Sequence, residues 1–477
     1  MYIRLKNNYA LRGWKGLPFA LTDITTGQTM FLNKSGFEAA MACNGTSPLI
    51  FPFVSPDVQQ NADKLIEHGF AERIDSPLAL AGYQQYRKSE GRFAELVHWS
   101  ITGHCNLKCR HCYMSAPEAK YGELSTEQCL HIVDQIAAAN IGKVSLTGGE
   151  PLLRQDFWQI VDALLEHRIV ISEIYTNGVL MSDAFLEHLK KRYINCTIVL
   201  SFDCCNSHDW VRGIPGAEKK AIAAIKRARL HDFAVTIETA LHKGNLDQLI
   251  PTYNLLKQLG VQSWKVSAMV NTGNWTRENG QYDLSYEDLY DAYLDMATQH
   301  QDDHCPLNMM LGGVYFARKG DTGYMSPFNK FNGLEEAVRQ TVCRSCRIHM
   351  HIMADGTLLP CVPMTGTYIE NQMPNLTCST ISHALSDSQY FDLINTKMES
   401  LFAQNQECAA CEHRLKCGGG CRASAINHAA GFFGKDPDSC YFFQNGYDKK
   451  LEQKLGKKPY SPMDIRQEDR QQKAASG

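Results

Sequence analysis

The sequence predicts an α/β protein whose centre is a parallel β-sheet with helices packed outside it. Between residue 96 and about residue 300, short apolar runs alternate with segments of helical period, and six such strand–helix units follow one another. This order is typical of a parallel sheet that is either open or curled into a partial barrel. A smaller α+β unit is predicted before the sheet and a cysteine-rich unit after it.

Length and charge limit the functions that the chain can have. It has 477 residues and a formal net charge of -3, which gives no reason to expect nucleic acid or an anionic membrane as its main partner. No run approaches the ~18–20 apolar residues that cross a bilayer, and the first residues lack the apolar segment of a signal peptide. We therefore expect a cytoplasmic protein with no membrane or nucleic-acid partner.

Residues 1–82 are predicted to form the small α+β unit. The run 19–33 has strand-forming flanks around a Thr-Gly turn, which predicts a hairpin. Helical patterns follow at about 34–43 and 57–69. The polar stretch 83–94 then predicts a linker.

Residues 95–304 contain the six predicted strands and their helices. The strands are the runs 96–102, 143–147, 169–176, 196–203, 233–241 and 263–270. Helices are predicted at about 156–166, 182–192, 216–230 and 245–259, and after Ser125, where Gln128 completes a capping-box pattern. Because ligands of such sheets bind at the carboxyl ends of the strands, the loops that follow the strands are the candidate site.

Three cysteines, Cys105, Cys109 and Cys112, lie in the loop after the first strand. Their number is odd for disulfides and one short of a closed tetrahedral metal site. The spacing fits a zinc site completed by His104 or His111, and it equally fits an iron–sulfur cluster with one iron left open. In a protein expected to be cytoplasmic, either metal is favoured over disulfides.

The loop after the second strand favours the iron–sulfur interpretation. It reads TGGEP, residues 147–151. Consecutive glycines allow the backbone to approach a ligand closely, and Glu150 adds a carboxylate. Such a loop could hold an ammonium group next to the cysteine loop.

The two loops together resemble those of the radical S-adenosylmethionine (SAM) superfamily. CNLKCRHC resembles that family's CxxxCx(aromatic)C loop, with His111 at the aromatic position, and GGEP resembles its motif for the methionine amino group. The resemblance covers about residues 95–300 and implies a partial (β/α)6 radical SAM barrel. It also implies that the three cysteines bind a 4Fe–4S cluster whose fourth iron is chelated by the amino and carboxylate groups of SAM. Reductive cleavage of SAM would give a 5′-deoxyadenosyl radical that abstracts a hydrogen atom.

The same resemblance implies a set of cofactor-binding residues. They are His111, Gly148, Gly149, Glu150, Pro151, Asn177, Ser201 and Arg212. Ser201 is expected on the ribose or carboxylate of the cofactor, and Arg212 on the carboxylate. For Asn177, Ser201 and Arg212, the alternative is a polar residue that closes a strand or caps a helix.

A second group of cysteines occupies the segment 341–445, where the strand–helix alternation stops. Eight thiols suffice for two fully ligated clusters, although their CxxC pairs also fit zinc ribbons. The order C-x9-G-x4-C, C-x2-C-x5-C-x3-C and a last cysteine resembles the SPASM extension of radical SAM enzymes, which implies two auxiliary 4Fe–4S clusters. By this resemblance Cys343, Cys346, Cys361 and Cys421 hold the first cluster, and Cys408, Cys411, Cys417 and Cys440 hold the second.

The remaining cysteines and segments are predicted to have structural roles only. Seven cysteines outside any tight spacing are expected to be ordinary small buried side chains, namely Cys43, Cys129, Cys196, Cys204, Cys205, Cys305 and Cys378. Residues 305–340 are predicted to connect the barrel to the cysteine-rich domain. Residues 446–477 are predicted to form a charged tail with a frayed helix and a disordered end.

The resemblance predicts an enzyme that modifies peptides. SPASM enzymes mostly do so, and the hairpin-then-helices order of residues 1–82 resembles the winged-helix-like recognition domain of maturases of ribosomally synthesised peptides. Such domains capture a leader peptide by strand addition; the alternative is a cap that stabilises the barrel. A thioether is the favoured product, with carbon–carbon and carbon–oxygen cross-links as alternatives. SAM, three 4Fe–4S clusters and an electron donor such as flavodoxin or ferredoxin are implied.

Two other functions were considered. Anaerobic sulfatase-maturing (formylglycine-generating) enzymes carry an aspartate base directly after the cysteine that corresponds to Cys361, and here that position is Val362. A zinc-binding scaffold without radical chemistry would bind zinc and would not cleave SAM. The sequence identifies no general base.

Overall fold

The N-terminal unit consists of two small sheets and two helices. The computed structural model describes residues 2–48, 55–278, 280–326, 331 and 333–460. The strands of this unit are β1 (Tyr2–Leu5), β2 (Tyr9–Trp14), β3 (Leu17–Asp23), β4 (Thr29–Phe31), β5 (Asn44–Pro48), β6 (Ala71–Ile74) and β7 (Arg87–Lys88). Its helices are α1 (Lys34–Ala42) and α2 (Pro56–Glu67). One sheet has the order β5-β1-β6 and the other the order β4-β3-β2-β7.

The predicted hairpin and helices of this unit are present, but most of its strands were missed. The hairpin is formed by β3 and β4, which pair antiparallel. The segment predicted as a linker is packed, because β7 joins the second sheet beside β2 and Gln84 is fully buried. The indole of Trp14 donates a hydrogen bond to the carbonyl of Ala139 (2.9 Å), which fastens the unit to the central part of the chain.

The six predicted parallel strands are all present and follow one another in the sheet in sequence order. They are β8 (Leu96–Ser100), β9 (Lys143–Thr147), β10 (Val170–Thr176), β11 (Thr197–Ser201), β12 (Ala234–Leu241) and β13 (Ser263–Ala268). The helices between and after them are α3 (Thr126–Ala138), α4 (Phe157–Glu166), α5 (Asp183–Lys191), α6 (His208–Arg212), α7 (Ala217–Leu230), α8 (Leu249–Gln258) and α9 (Tyr286–Asp302). Helix α3 begins at the predicted capping box of Ser125 and Gln128.

The sheet continues beyond the six strands at both ends. After β13 come β14 (Asn308–Leu311), which is parallel to it, and β15 (Tyr315–Ala317), which is antiparallel to β14. At the other end lie β16 (His349–Ile352) and β17 (Leu358–Leu359). Strand β16 runs parallel to β8, with His351 opposite His98. The cysteine-rich segment therefore joins the first edge of the barrel directly.

The rest of the cysteine-rich part consists of short helices. They are α10 (Leu334–Arg339), α11 (Ile381–Ala384), α12 (Gln389–Asn395), α13 (Met398–Gln404), α14 (Gln406–Ala410), α15 (Arg414–Cys417), α16 (Arg422–Asn427), α17 (Pro437–Gln444) and α18 (Tyr447–Leu455). A single apolar core extends from Ala94 to Leu451, so barrel and cysteine-rich part pack as one body. The predicted disordered end, 461–477, lies outside the described residues. Among the residues that are described, every helix is too short or too polar to span a bilayer.

Of the seven cysteines predicted to be buried, five are buried in the structure. Cys43, Cys129, Cys196, Cys204 and Cys305 are buried. For two others the prediction was wrong. Cys205 is only half-buried, and Cys378 is exposed, with its thiol donating to the carbonyl of Asn375.

Candidate active site

A cavity of about 800 Å³ opens at the carboxyl ends of the parallel strands. Cys105, Cys109 and Cys112 line one part of it, and Cys346 and Cys361 of the cysteine-rich part line another. The site expected from the strand order therefore lies between the barrel and the segment that follows it.

The sulfur atoms of the cysteine loop face hydrogen-bond donors. The backbone N–H groups of Leu107 and Ala116 point to Cys105 Sγ (3.4 Å) and Cys112 Sγ (3.3 Å). The guanidinium of Arg212 donates to Cys109 Sγ (3.6 Å). Donors of this kind stabilise thiolates. Because burial raises the pKa of Cys105 to about 12, a bound cation is needed to keep that thiol ionised.

The glycine pair holds the second loop against the cysteine loop. The backbone N–H of Gly149 donates to the carbonyl of Thr102, and that of Glu150 to the carbonyl of His104, both at 2.8 Å. A Cβ atom on Gly149 would lie only 2.2 Å from the carbonyl oxygen of His104. The glycines are thus required for the approach of the two loops to each other, in addition to any approach to a ligand. Gly148 and Gly149 both line the cavity.

Glu150, in the loop after β9, is linked by hydrogen bonds to the end of β10. Its carboxylate accepts hydrogen bonds from Thr176 Oγ1 (2.8 Å) and from the backbone N–H groups of Asn177 (2.8 Å) and Leu152 (3.1 Å). Burial outweighs these bonds and raises the pKa of Glu150 to about 7. Neither Glu150 nor the buried Pro151 is among the residues that line the cavity. Their contact with a cofactor stays a prediction.

The remaining predicted cofactor residues lie at the rim of the same cavity. Asn177, Ser201, Arg212 and His111 all line it. Asn177 also bridges two loops, because its amide donates to Asn106 Oδ1 (2.7 Å). Within the described part of the chain, Nδ1 of His111 is buried without a hydrogen-bond partner.

Arg212 is engaged by a buried carboxylate. Its Nε lies 2.6 Å from Oδ2 of Asp203, and both side chains are buried. Burial opposes the ionisation of Asp203, but the guanidinium outweighs it and holds the pKa of Asp203 well below its usual range. Arg212 therefore links the fourth strand to Cys109, and its predicted contact with a cofactor carboxylate stays a prediction.

Eight of the nine cysteines beyond residue 341, all but Cys378, fall into two sets of four. In one set Cys346 is in hydrogen-bonding contact with Cys343 and Cys361 and interacts electrostatically with Cys421. In the other, the thiols of Cys408, Cys411, Cys417 and Cys440 interact electrostatically with one another. The SPASM resemblance implies the same two sets, and the binding of a cluster by either set stays a prediction.

Cys421 reaches the first set because the three glycines before it turn the chain. Gly418, Gly419 and Gly420 all have positive φ angles, of 60°, 82° and 71°, which other residues adopt only with strain. The buried carboxylate of Asp436 then accepts from the backbone N–H of Cys421 (2.8 Å). Cys421 and the cysteine that precedes it in the motif therefore lie in different sets of thiols.

A single metal ion and an iron–sulfur cluster require different distances between the thiols that bind them. A tetrahedral zinc site needs sulfur atoms within about 2.3 Å of one point. In the ranges that the structure describes, no group of three or more His, Cys, Asp or Glu side chains could hold a single ion. A cluster spans several ångströms and keeps its thiolates further apart.

Sequence reasoning missed a group of polar side chains inside the barrel. Glu173, Tyr175, Glu238, Lys265 and His98 line the cavity below the cysteine loop. Charged residues are unusual in central parallel strands, whose side chains are normally apolar. That rule was the available signal, since both Glu238 and Lys265 interrupt predicted strands.

Comparison with known proteins identifies the catalytic part. Residues 99–256 match the sequence model of the radical SAM superfamily. The match includes both the cysteine loop and the GGEP loop. This chain is a radical SAM enzyme. The superfamily implies SAM and a 4Fe–4S cluster as cofactors, which together supply a 5′-deoxyadenosyl radical when bound; Cys105, Cys109 and Cys112 would hold that cluster.

Relatives of the enzyme extend well beyond this domain. It is 27% identical over 360 residues to an AdoMet-dependent heme synthase of Methanosarcina barkeri. This match covers 72% of this chain and 96% of the heme synthase. It is 25% identical to the mycofactocin maturase MftC of Mycobacterium tuberculosis, over 79% of this chain and 85% of that one. In fold it is similar to Streptococcus suis SuiB bound to its precursor peptide SuiA, with a TM-score of 0.63, 17% identity, and coverage of 92% of this chain and 99% of SuiB.

Proposed function

We propose that this enzyme is a cytoplasmic maturase of a ribosomally synthesised precursor peptide. It cleaves SAM to the 5′-deoxyadenosyl radical, abstracts a hydrogen atom from the core of the peptide, and installs a cross-link, with a cysteine thioether as the favoured product. A leader segment of the peptide positions the core, because binding energy from a remote segment can orient the reacting carbon without touching it.

The N-terminal unit is the observation that carries this proposal. The match to SuiB covers 92% of the chain. Because the unmatched part is smaller than residues 1–82, much of this unit has a structural counterpart in SuiB. The heme synthase match covers 72% and leaves more than a quarter of the chain unmatched. In the two small sheets, β4 and β6 are edge strands with a partner on one side only. Such edges accept an extended peptide as an added strand, which supports a winged-helix-like recognition domain.

The two sets of cysteines support two auxiliary 4Fe–4S clusters in a SPASM domain. Each set supplies four thiols, enough to ligate a cluster fully. Cys346 and Cys361 of the first set line the same cavity as the radical-generating loop, so this cluster would lie where a substrate radical can lose an electron. An external donor such as flavodoxin or ferredoxin would supply the electron that cleaves SAM.

The other functions receive less support. Val362, where formylglycine-generating enzymes carry their aspartate, lines the cavity and offers no base. A heme synthase activity is the second candidate because of the Methanosarcina barkeri relative, which is covered over nearly its whole length. It is tested by offering the reconstituted enzyme a porphyrin substrate in place of a peptide.

The proposal is tested by anaerobic reconstitution followed by assays with peptides. About twelve irons per chain are expected, four for each of three clusters, together with formation of 5′-deoxyadenosine under reduction by dithionite. The enzyme is then co-expressed with the small open reading frames that flank its gene, and the peptides are examined by mass spectrometry. A peptide that loses two hydrogen atoms only with the active enzyme supports the proposal. Conversion of the porphyrin with no altered peptide would contradict it.

A further inference from the structure

The cavity is lined by three carboxylates that differ in their partners. Asp203 is paired with Arg212 at 2.6 Å. Glu173 accepts hydrogen bonds from Ser145 Oγ (2.9 Å) and from the hydroxyl of Tyr175 (3.2 Å). The third, Glu238, forms one ion pair, with Lys265 Nζ at 3.2 Å.

Glu238 is the carboxylate best placed to meet a substrate. It lies on β12, with Ser201 opposite it on β11 and Lys265 opposite it on β13. Its side chain is 43% exposed, and it faces the cavity. The titratable groups around it are Lys265, Glu173 and Tyr175 of the strands and Tyr113 beside Cys112.

The histidines and the tyrosine near Glu238 are poor proton acceptors near neutral pH. Burial, followed by the charge of Lys265, lowers the pKa of His98 to about 4, and burial lowers the pKa of His351 to about 3. Burial and the carboxylates of Glu238 and Glu173 hold the pKa of Tyr175 well above its usual value. The histidines are therefore neutral and weakly basic, and the tyrosine stays protonated.

Building on the proposed function, we propose that Glu238 is the general base of cross-linking, with Lys265 as its positioning partner. The 5′-deoxyadenosyl radical takes a hydrogen atom from a core-peptide carbon, and the peptide thiol transfers its proton to a carboxylate oxygen of Glu238. The sulfur then forms a bond to the carbon radical. The one electron in excess would be accepted by an oxidised iron–sulfur cluster, which Cys343, Cys346, Cys361 and Cys421 would hold. Atoms and electrons balance, since the peptide loses one hydrogen atom, one proton and one electron.

Position and charge support this assignment over a purely structural ion pair. Glu238 is 43% and Lys265 33% exposed, and both line the cavity, so a substrate in the cavity can reach them. The ammonium group fixes one oxygen of the carboxylate at 3.2 Å, which leaves the other oxygen free to accept a proton.

The test compares Glu238→Gln and Lys265→Met with a matched pair at the opposite end of the strands. Lys143 and Glu95 form a similar partly exposed ion pair (3.0 Å), so Glu95→Gln and Lys143→Met are the controls. The holoenzymes are assayed with the precursor peptide identified by co-expression, and both 5′-deoxyadenosine and cross-linked peptide are quantified across pH.

Glu238→Gln should keep 5′-deoxyadenosine formation within about threefold and lower cross-linking by about 100-fold, the contribution typical of a general base. Lys265→Met should lower kcat for cross-linking and leave KM unchanged, because the carboxylate loses the ammonium group that fixes one of its oxygens. The control variants should match the wild type in both respects.

Three results would overturn the assignment. One is cross-linking by Glu238→Gln at the wild-type rate, and another is a rise in KM alone, which would indicate substrate binding. The third is an equal loss of 5′-deoxyadenosine and cross-linked peptide, which would indicate a structural role. If the wild type itself cleaves SAM and alters no peptide, the proposed function fails, and this assignment fails with it. The reaction of the wild type, run beside the variants, thus distinguishes failure of the proposed function from failure of the Glu238 assignment.

Discussion

A methyl group on Gly149 should disable the radical site while leaving the rest of the enzyme folded. Its Cβ would lie 2.2 Å from the carbonyl oxygen and 2.6 Å from the carbonyl carbon of His104. Non-bonded heavy atoms are optimally about 3.5 Å apart, so the cysteine loop must move by about 1 Å. Cys105 follows His104 directly and moves with it.

The energetic cost follows from the contacts that the shift disturbs. Overpacking of a tight contact costs about 1–3 kcal/mol. The two hydrogen bonds between the loops, each 2.8 Å long, contribute about 1 kcal/mol each. The resulting cost of about 3–5 kcal/mol is local, and a displacement of about 1 Å at a reacting centre can lower a rate by about 100-fold.

The assay measures iron content and 5′-deoxyadenosine formation of Gly149→Ala beside Gly82→Ala. No heavy atom lies within 4 Å of a Cβ placed on Gly82, so this variant controls for the substitution itself. Gly149→Ala should lose about four of the twelve expected irons and most of its SAM cleavage, with unchanged circular dichroism. Full iron content and wild-type cleavage by Gly149→Ala would refute the reasoning.

Three further substitutions test other parts of the structure. Because the folded-state pKa of Glu150 is about 7, above its ordinary 4.5, the stability that its protonated form contributes is complete below about pH 4.5 and lost as pH rises through 7. The free energy of unfolding of the SAM-free enzyme should therefore fall by about 3 kcal/mol between about pH 4.5 and pH 7. Glu150→Gln should remove most of this pH dependence. If the variant keeps the pH dependence of the wild type, the buried carboxyl group of Glu150 is not its cause. Arg212→Met leaves the buried carboxylate of Asp203 without its guanidinium partner and should destabilise the protein by about 3–5 kcal/mol in denaturant unfolding. Adding Asp203→Asn should restore part of this stability, and equal instability of the double variant would argue against the pair. Cys421→Ser should lower the iron content by about four atoms per chain. Cys378→Ser is the control, because Cys378 lies outside both sets, and it should leave the iron content unchanged. Equal iron content in the two variants would argue against the allocation of Cys421 to the first cluster.

The sequence predicts the barrel well because its signals are local. Each strand is a compact apolar run, and α3 starts at a capping box formed by Ser125 and Gln128. Strands β14 to β17 were missed, since two to four residues carry too little periodicity to identify a strand. The pairing of His351 with His98 spans 253 residues of chain and depends on tertiary packing alone.

The candidate site was predicted unevenly for a similar reason. The cysteines and GGEP are contiguous motifs, and the structure brings Cys105, Cys109, Cys112, Gly148 and Gly149 to one cavity. The glycines also have a role that no motif indicates, the close packing of two loops. Glu238 and Lys265 went unnoticed because each stands alone in an apolar run, and only the closed arrangement of strands brings them together at 3.2 Å.

The mass of the precursor peptide after reaction with the reconstituted enzyme shows whether this protein modifies a peptide. We expect a peptide lighter by two hydrogen atoms for each cross-link, formed only with SAM and reductant. It should be absent when a competing leader peptide prevents the N-terminal unit from binding the leader. Efficient cleavage of SAM with every flanking peptide unchanged in mass would contradict the claim that this radical SAM enzyme matures a peptide.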